Sequence, residues 1–522
     1  MGRYKVTQTL DLRSASGIYV SWGGMTTTIN EPQHDVTNPV TGEVIDSVRI
    51  YDEADTVAAI ERARSAQKQW AETSMKERRK IMLRYHDLVL EKQAEVLDQL
   101  QAETGKNRAS AFAEVLDSAL ASRHYGYGAK ELLKTKRVRG AFPLVTKTEV
   151  ERDPIGVVGI ISPWNYPLAL SIADAIPALM AGNAVVLKPD LQTPLTPLLG
   201  AELMYEAGLP REVLQILPGK GTEVGQGIVK NADYVMFTGS TETGKKLAAQ
   251  AAERLVGFSG ELGGKNPLII THDAKPSDIV DSVREACFAN SGQLCISIER
   301  MYVHRDVADQ FIPAFRSAVE AMQIAGDNDW QTDMGSLISP EHMNKVDELV
   351  QDAVAKGAKV LTGGKPLPEL GPAFYAPTVL SDVPEDADFY RQEAFGPVVF
   401  IEVVDSDEEA VRRANDTEYG LNASVFGKES TARKLASQLE AGTVNINEGW
   451  AAGWSSFDAP MGGWKQSGMG RRHGEQGLLK YTEPRTVAAQ RVIPLSRPFL
   501  DDGAQWAGLL TLALKSARDL LR

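Results

Sequence analysis

Apolar residues follow two different rhythms along this chain. Between Asp55 and Leu133 they recur at helical spacing, as in Val57 with Ile60 and then Leu88, Val96 and Leu100. That spacing predicts amphipathic helices over 55–70, 74–103 and 109–133. The third ends in the basic run Lys134–Arg139, read as a solvated helix end, while 37–50 is extended and punctuated by turns. From Gly156 the rhythm changes: IGVVGIIS, NAVVLK, VLQILPG, YVMFTGS and RLVGFSGELGG are short β-branched runs separated by helical stretches. Buried strands alternating with helices predict an α/β fold with a parallel, doubly wound sheet. Such sheets bind ligands beyond the carboxyl ends of their strands. Those ends are SPWNYP, LKPD, FTGSTETG and GELGG.

A second alternating region runs from Arg300 to about Ile446, with strands at MYVHR, KVLTGG, VVFIEVV, ASVFG and GTVNIN and helices over 306–323, 339–356 and 408–415. It predicts a second α/β lobe. Two charged, extended segments, Thr146–Arg152 and KYTEPRTVAAQRV, fit neither lobe and are read as pairing into an exposed arm that joins subunits. The last twenty residues are amphipathic, with Trp506, Leu509, Leu510, Leu514 and Leu521, and are read as a helix packed on its own subunit or a partner. The first residues lack a basic start followed by an apolar block, so they are read as an extension without a signal peptide, with Met25 a candidate natural start.

Composition narrows the classes. The chain has 522 residues, 43% hydrophobic and 24% charged, which predicts two or three globular units. A net charge of −13 argues against nucleic acid as a partner. No run approaches the ~20 apolar residues a membrane helix needs. Two cysteines, Cys287 and Cys295, make neither a disulfide framework nor a metal site, and they suit a reducing cytoplasm. Cys287 lies in a helical apolar pattern and is read as core.

The candidate chemistry centres on Gly257–Arg300. Glu261 follows an apolar strand and Cys295 follows a glycine-containing turn 34 residues later, far enough to meet from different loops. A thiol nucleophile and a carboxylate base are a minimal kit for making and hydrolysing an acyl-enzyme. Taken alone, the pair reads as readily as a solvated acid and a small buried hydrophobe. FTGSTETGKK, between a strand and a helix, can receive phosphate at the helix N-terminus. It misses the P-loop because Lys246 replaces the magnesium-binding hydroxyl, so a phosphoryl-transfer enzyme is a rival with one broken requirement. Lys188 ends a buried strand, where a cation suits ribose or phosphate or simply snorkels to the surface. Asn165, between two prolines, is an oxyanion donor or a turn former.

In order along the chain, SPWNYP, LKPD, FTGSTETG, ELGGKNP, GQLC and EAFGPV resemble the motifs of the aldehyde dehydrogenase superfamily, over residues 38–486. KPD, CISIER, APMGG and GRRHG with GLLKYTE are similar to actinobacterial succinate-semialdehyde dehydrogenases. The resemblance implies a Rossmann-like parallel-sheet cofactor domain, an α/β catalytic domain and a β oligomerisation arm, in a homodimer or homotetramer. On that basis residues 1–26 are an extension, 27–140 and 155–261 the cofactor domain, 262–470 the catalytic domain, 141–154 and 471–495 the arm, and 496–522 the C-terminal helix. It implies Cys295 as nucleophile, Glu261 as general base, and Asn165 with the Cys295 N–H as oxyanion hole. Trp164, Lys188, Asp190, Leu191, Gly239, Ser240, Leu262, Glu393 and Phe395 would line the NAD(P) site, with no metal.

Departures from the family pattern sharpen the expectation. NAD-preferring members often carry a glutamate where Leu191 stands, so NADP is expected to be accepted and preferred, with NAD as the second cofactor. The substrate-binding arginine of many succinate-semialdehyde enzymes is missing from Ser171–Asp174, and Ser297 replaces a frequent second cysteine. Succinate semialdehyde is the expected substrate, its carboxylate held by Arg471 or Arg472. The alternative is a broad aliphatic or aromatic aldehyde, suited to the loop Trp450–Trp464. A silent scaffold is disfavoured because Cys295, Glu261 and Asn165 are all present.

Overall fold

The computed structural model describes residues 32–140, 146–491 and 502–518. The N-terminal extension read over 1–26 lies outside the described residues, as does the junction 141–145. A hairpin, β1 (Gln33–Thr37) with β2 (Val44–Arg49), leads to four helices: α1 (Glu53–Glu72), α2 (Met75–Glu91), α3 (Gln93–Thr104) and α4 (Arg108–Leu133). Asp52 starts α1 with a reciprocal capping box to Asp55, and Asn107 caps α4 through Ser110. The single helix expected over 74–103 breaks at Lys92, whose φ of −100° and ψ of 21° leave the helical region. The basic run after α4 is not a helix end: Lys136–Val138 forms β3, an exposed strand.

The first lobe holds a six-stranded sheet in the order β19 (Gly468–Met469), β9 (Gly257–Glu261), β8 (Tyr234–Thr238), β5 (Val157–Ile161), β6 (Ala184–Lys188), β7 (Leu214–Ile216). β5 to β9 are parallel and β19 joins the edge antiparallel. β5, β6 and β8 are buried at every residue, which is why they read as unbroken apolar runs. Their side chains enter one core with those of α1–α4, Trp70 and Tyr85 among them, and with Met180 and Met204 from the helices before and after β6.

The second lobe holds seven strands in the order β12 (Lys359–Thr362), β13 (Thr378–Ser381), β14 (Val398–Val404), β11 (Ile298–His304), β10 (Asn266–Ile270), β16 (Asn422–Phe426), β17 (Thr443–Ile446). Alternation along β10 sends Leu268 and Ile270 into one core and Ile269 into another. β15 (Tyr419–Gly420) and β18 (Trp464–Lys465) form a short clasp. The two charged segments pair antiparallel, β4 (Thr146–Pro154) against β20 (Thr482–Gln490), with β3 on the other side of β4. The C-terminal helix, Gly503–Ala517, forms, with Leu509, Leu512 and Leu514 exposed, Leu512 at 63%.

Candidate active site

β9 ends in the first lobe at Glu261, and five residues later the chain enters β10 of the second. Glu261 is therefore fixed where the lobes join. β10 lies parallel to β11, with Asn266 opposite Ile298, so Cys295 arrives three residues before the neighbouring strand begins. Asn266 fixes that turn: its Nδ2 donates to the carbonyls of Cys295 at 2.8 Å and Ser297 at 2.7 Å. Gly264 makes room, since a Cβ there would stand 2.7 Å from the Cys295 carbonyl. Ahead of Cys295, Asn290 and Ser291 adopt φ of 50° and 56°, and Gly292 follows with φ 70°. Cys287 is buried in the core.

Half-buried Cys295 packs against an apolar cluster that includes Tyr166, Leu170, Leu294, Leu421 and Met461, with Trp450 and Trp454 at its edge. Burial pushes its thiol up to about 12, and Arg472 is the strongest opposing charge. Glu261 is 2% exposed and neither carboxylate oxygen has a hydrogen-bond partner. Desolvation raises its carboxyl to about 7, against the pull of Arg472 and Lys480. Gly462 backs it closely: a Cβ there would stand 3.0 Å from Oε1. The site thus pairs a protonated thiol with an acid near its titration point at neutral pH, as a general base requires.

Asn165 reaches the same turn, with Nδ2 donating to the Gln293 carbonyl at 3.0 Å. Its backbone is gripped by a buried ion pair that the sequence reading missed. Lys106 Nζ binds Glu114 at 2.6 Å and the Asn165 carbonyl at 2.7 Å, while Glu114 Oε2 accepts the Leu168 and Ala169 N–H groups. No sequence signal separates that lysine from any other residue near a helix start.

The expected cofactor residues stand at strand ends and loops of the two lobes. Lys188 ends β6 and donates to the Pro189 carbonyl at 2.8 Å, and Asp190 Oδ1 accepts the Gln192 N–H. Burial lowers the Lys188 pKa. Leu191 is half-buried beside them. The Gly239 N–H donates to the Glu261 carbonyl, and Ser240 caps α8 (Thr241–Glu253). Leu262 packs so tightly under α8 that a Cβ on Gly244 would stand 2.3 Å from its Cδ2.

From the second lobe, Glu393 Oε1 accepts the Gly264 N–H at 2.9 Å. Phe395, at φ 52°, meets Trp164 edge to face at 5.4 Å. Its unusual backbone is held by Glu299, which accepts the Ala394 and Phe395 N–H groups, and by His342 Nε2 donating to its carbonyl. Lys265 Nζ sits 2.6 Å from Glu299. Sequence reading missed this second buried pair, though both partners stand in quoted motifs.

Two expectations change. Arg472 is not a free clamp: its Nη2 binds Asp174 Oδ2 and Thr238 Oγ1, both at 2.6 Å. Arg471 donates to the Gly463 and Gly470 carbonyls. In the P-loop-like segment, Lys245 binds Gln466 and Lys246 pairs with Glu242, so neither amine is turned toward a shared phosphate position. Among the described residues no group of three or more His, Cys, Asp or Glu could hold a metal ion, and no helix is long and apolar enough to cross a membrane.

The aldehyde dehydrogenase family model matches residues 26–487. A Mycolicibacterium smegmatis protein is 51% identical over 481 residues, covering 92% of this chain and 93% of its own length. It carries the name "Putative succinate-semialdehyde dehydrogenase", with NADP(+) as cofactor. Two solved structures superimpose with a TM-score of 0.83: an E. coli NADP-dependent enzyme, 34% identical, and the NAD+ complex of a Bacillus cereus aldehyde dehydrogenase, 35% identical. Each covers 88% of this chain, and the match spans 95% and 93% of theirs respectively.

Proposed function

This chain belongs to the aldehyde dehydrogenase family, and for it we propose NADP-preferring oxidation of an aldehyde to a carboxylate through a thioester on Cys295. One observation carries the reading: an unpartnered, desolvated glutamate and a lone accessible thiol face one join between two lobes. The Cys295 thiol gives up its proton to solvent and its sulfur adds to the aldehyde carbon. The resulting oxyanion is received by Asn165 Nδ2 and the Cys295 N–H. Sulfur holds the carbon through oxidation to the thioester. Glu261 then takes a proton from water, which attacks and releases the carboxylate.

Three features support a dinucleotide site: a helix N-terminus at α8, a buried lysine at the end of β6, and glycines that let Glu393 approach the strand end, where a Cβ on Gly263 would stand 2.5 Å from its Oε2. Trp164, Lys188, Asp190, Leu191, Gly239, Ser240, Leu262, Glu393 and Phe395 would hold the group, which supplies the hydride acceptor when bound. Leu191 presents no carboxylate to repel a 2′-phosphate, and the named cofactor of the mycobacterial relative supports NADP, with NAD as the second acceptor. Comparing kcat/KM for the two tests this; a strong NAD preference overturns it.

The relative's name makes succinate semialdehyde the first substrate to assay. The apolar wall around Cys295 and the occupied Arg472 favour a second reading, an aldehyde without a carboxylate tail. The domain division set out above, a cytoplasmic location and a homodimer or homotetramer joined through β4 and β20 complete the proposal. Charge-reversing Arg485, which faces Glu151 and Asp153 across that pair, should shift the native mass by light scattering; an unchanged mass contradicts the arm's role.

A further inference from the structure

Three consecutive residues leading into β10 each tie down a different part of the site. The Gly264 N–H donates to Glu393 Oε1 at 2.9 Å, and Asn266 Nδ2 holds the Cys295 and Ser297 carbonyls. Between them, Lys265 Nζ binds Glu299 Oε2 at 2.6 Å, and Glu299 Oε1 accepts the Ala394 and Phe395 N–H groups, both at 3.0 Å. The loop held in this way rests on the turn that carries the thiol, since a Cβ on Gly292 would stand 2.0 Å from the Gly396 carbonyl. One short stretch of chain therefore fixes both the nucleophile's turn and the loop of Glu393 and Phe395. The ion pair within it is unusual for its burial: the Lys265 and Glu299 side chains are 0% and 4% exposed, with the amine 3.7 Å from the centre of the Phe389 ring. Buried pairs of this kind can often be replaced by apolar residues without loss of stability. An apolar pair could not, however, accept two successive N–H groups, the second on a residue held at φ 52°.

We propose that Lys265 and Glu299 are positioning residues for the hydride step: through the loop of Glu393 and Phe395 they set the distance between the carbon held by Cys295 and the bound hydride acceptor. Their burial leaves them to act through that loop and not on the reacting atoms. Acylation of Cys295 and hydrolysis of the thioester draw on Cys295, Asn165 and Glu261, so those steps do not need the pair. Hydride transfer does, because a reacting geometry displaced by ~1 Å loses on the order of 10²-fold in rate. The inference rests on the proposed function's reading of Cys295 and of the cofactor residues, and goes further by assigning the buried pair to one step of the reaction.

The test compares two reactions of one thiol in wild type, Lys265→Met, Glu299→Gln and the double variant Lys265→Met/Glu299→Gln, which leaves no unpaired charge. Oxidation of succinate semialdehyde or benzaldehyde with NADP, whichever wild type uses faster, includes the hydride step. Hydrolysis of 4-nitrophenyl acetate without cofactor omits it, since the ester acylates Cys295 directly. In the variants kcat for oxidation should fall about 10- to 100-fold, while ester hydrolysis stays within about threefold of wild type. Deuterium at the aldehyde carbon should also slow the variants more than it slows wild type. If the single variants do not fold, the double variant decides. Unchanged oxidation, an equal loss of both reactions, no larger isotope effect, or unfolding of all three variants overturns the inference, because the pair then serves the fold and not the hydride step. If wild type neither oxidises these aldehydes nor hydrolyses the ester, the proposed function itself fails.

Discussion

Glu261 and Glu299 are both buried glutamates at the join between the two lobes, and they are treated in opposite ways. Glu299 has Lys265 beside it and accepts the N–H groups of Ala394 and Phe395. Glu261 has no hydrogen bond to either oxygen. Burying a carboxylate is costly unless it is paired and hydrogen-bonded. The satisfied one holds a loop in place. The bare one stays reactive, its carboxyl raised to about 7 by lost solvation. The same burial that would count as a defect in a core makes a base that can exchange a proton near neutrality.

That contrast can be broken at several points. The largest effect belongs to the proposed nucleophile: Cys295→Ala should lower aldehyde oxidation on the order of 10⁴-fold while leaving cofactor binding by fluorescence titration intact. Glu261→Gln should slow turnover about 10²- to 10⁴-fold. Its thermal midpoint should hold or rise, because the substitution removes a desolvated acid. Glu299→Gln should do the reverse. Leaving Lys265 without its charge partner costs about 3–5 kcal/mol of stability, seen as a lower denaturation midpoint. If both glutamine variants lose similar stability, the distinction drawn between the two acids is wrong.

Acidity sharpens the comparison further. Glu261 must be ionised to accept a proton, so kcat/KM should rise with pH through about 7, and that limb should vanish in Glu261→Gln. Its effect on folding has the opposite sense. A carboxyl whose folded pKa lies above its ordinary 4.5 binds more protons folded than unfolded, so its contribution to stability falls as pH rises from about 4.5 to 7. The smallest of these effects should be a flatter stability curve over that window in Glu261→Gln.

The two sheets could be read from the sequence because their strands are buried on both faces and carry unbroken apolar runs, as in VVGII and AVVLK. The break at Lys92 could not, since apolar spacing continues across it from Leu88 to Val96. Likewise β3 hides in a charged run whose strand character comes only from pairing with β4. The ordered motifs pointed to Glu261, Cys295 and Asn165, and the structure brings their loops to one place. The pairs Lys106–Glu114, Lys265–Glu299 and Asp174–Arg472 were not legible as pairs. Each depends on which loops the fold juxtaposes, and the third joins residues 298 apart in sequence. For the same reason Arg472 looked available to a substrate carboxylate until its partner was seen.

The most direct test mixes Glu261→Gln enzyme with NADP and aldehyde in a stopped-flow instrument and follows reduced cofactor at early times. With Cys295 acylated but its hydrolysis crippled, about one equivalent per active site should appear in a burst, followed by a slow steady rate. A progress curve without a burst at the wild-type steady rate would show that the bare carboxylate is not the base on which this chemistry depends.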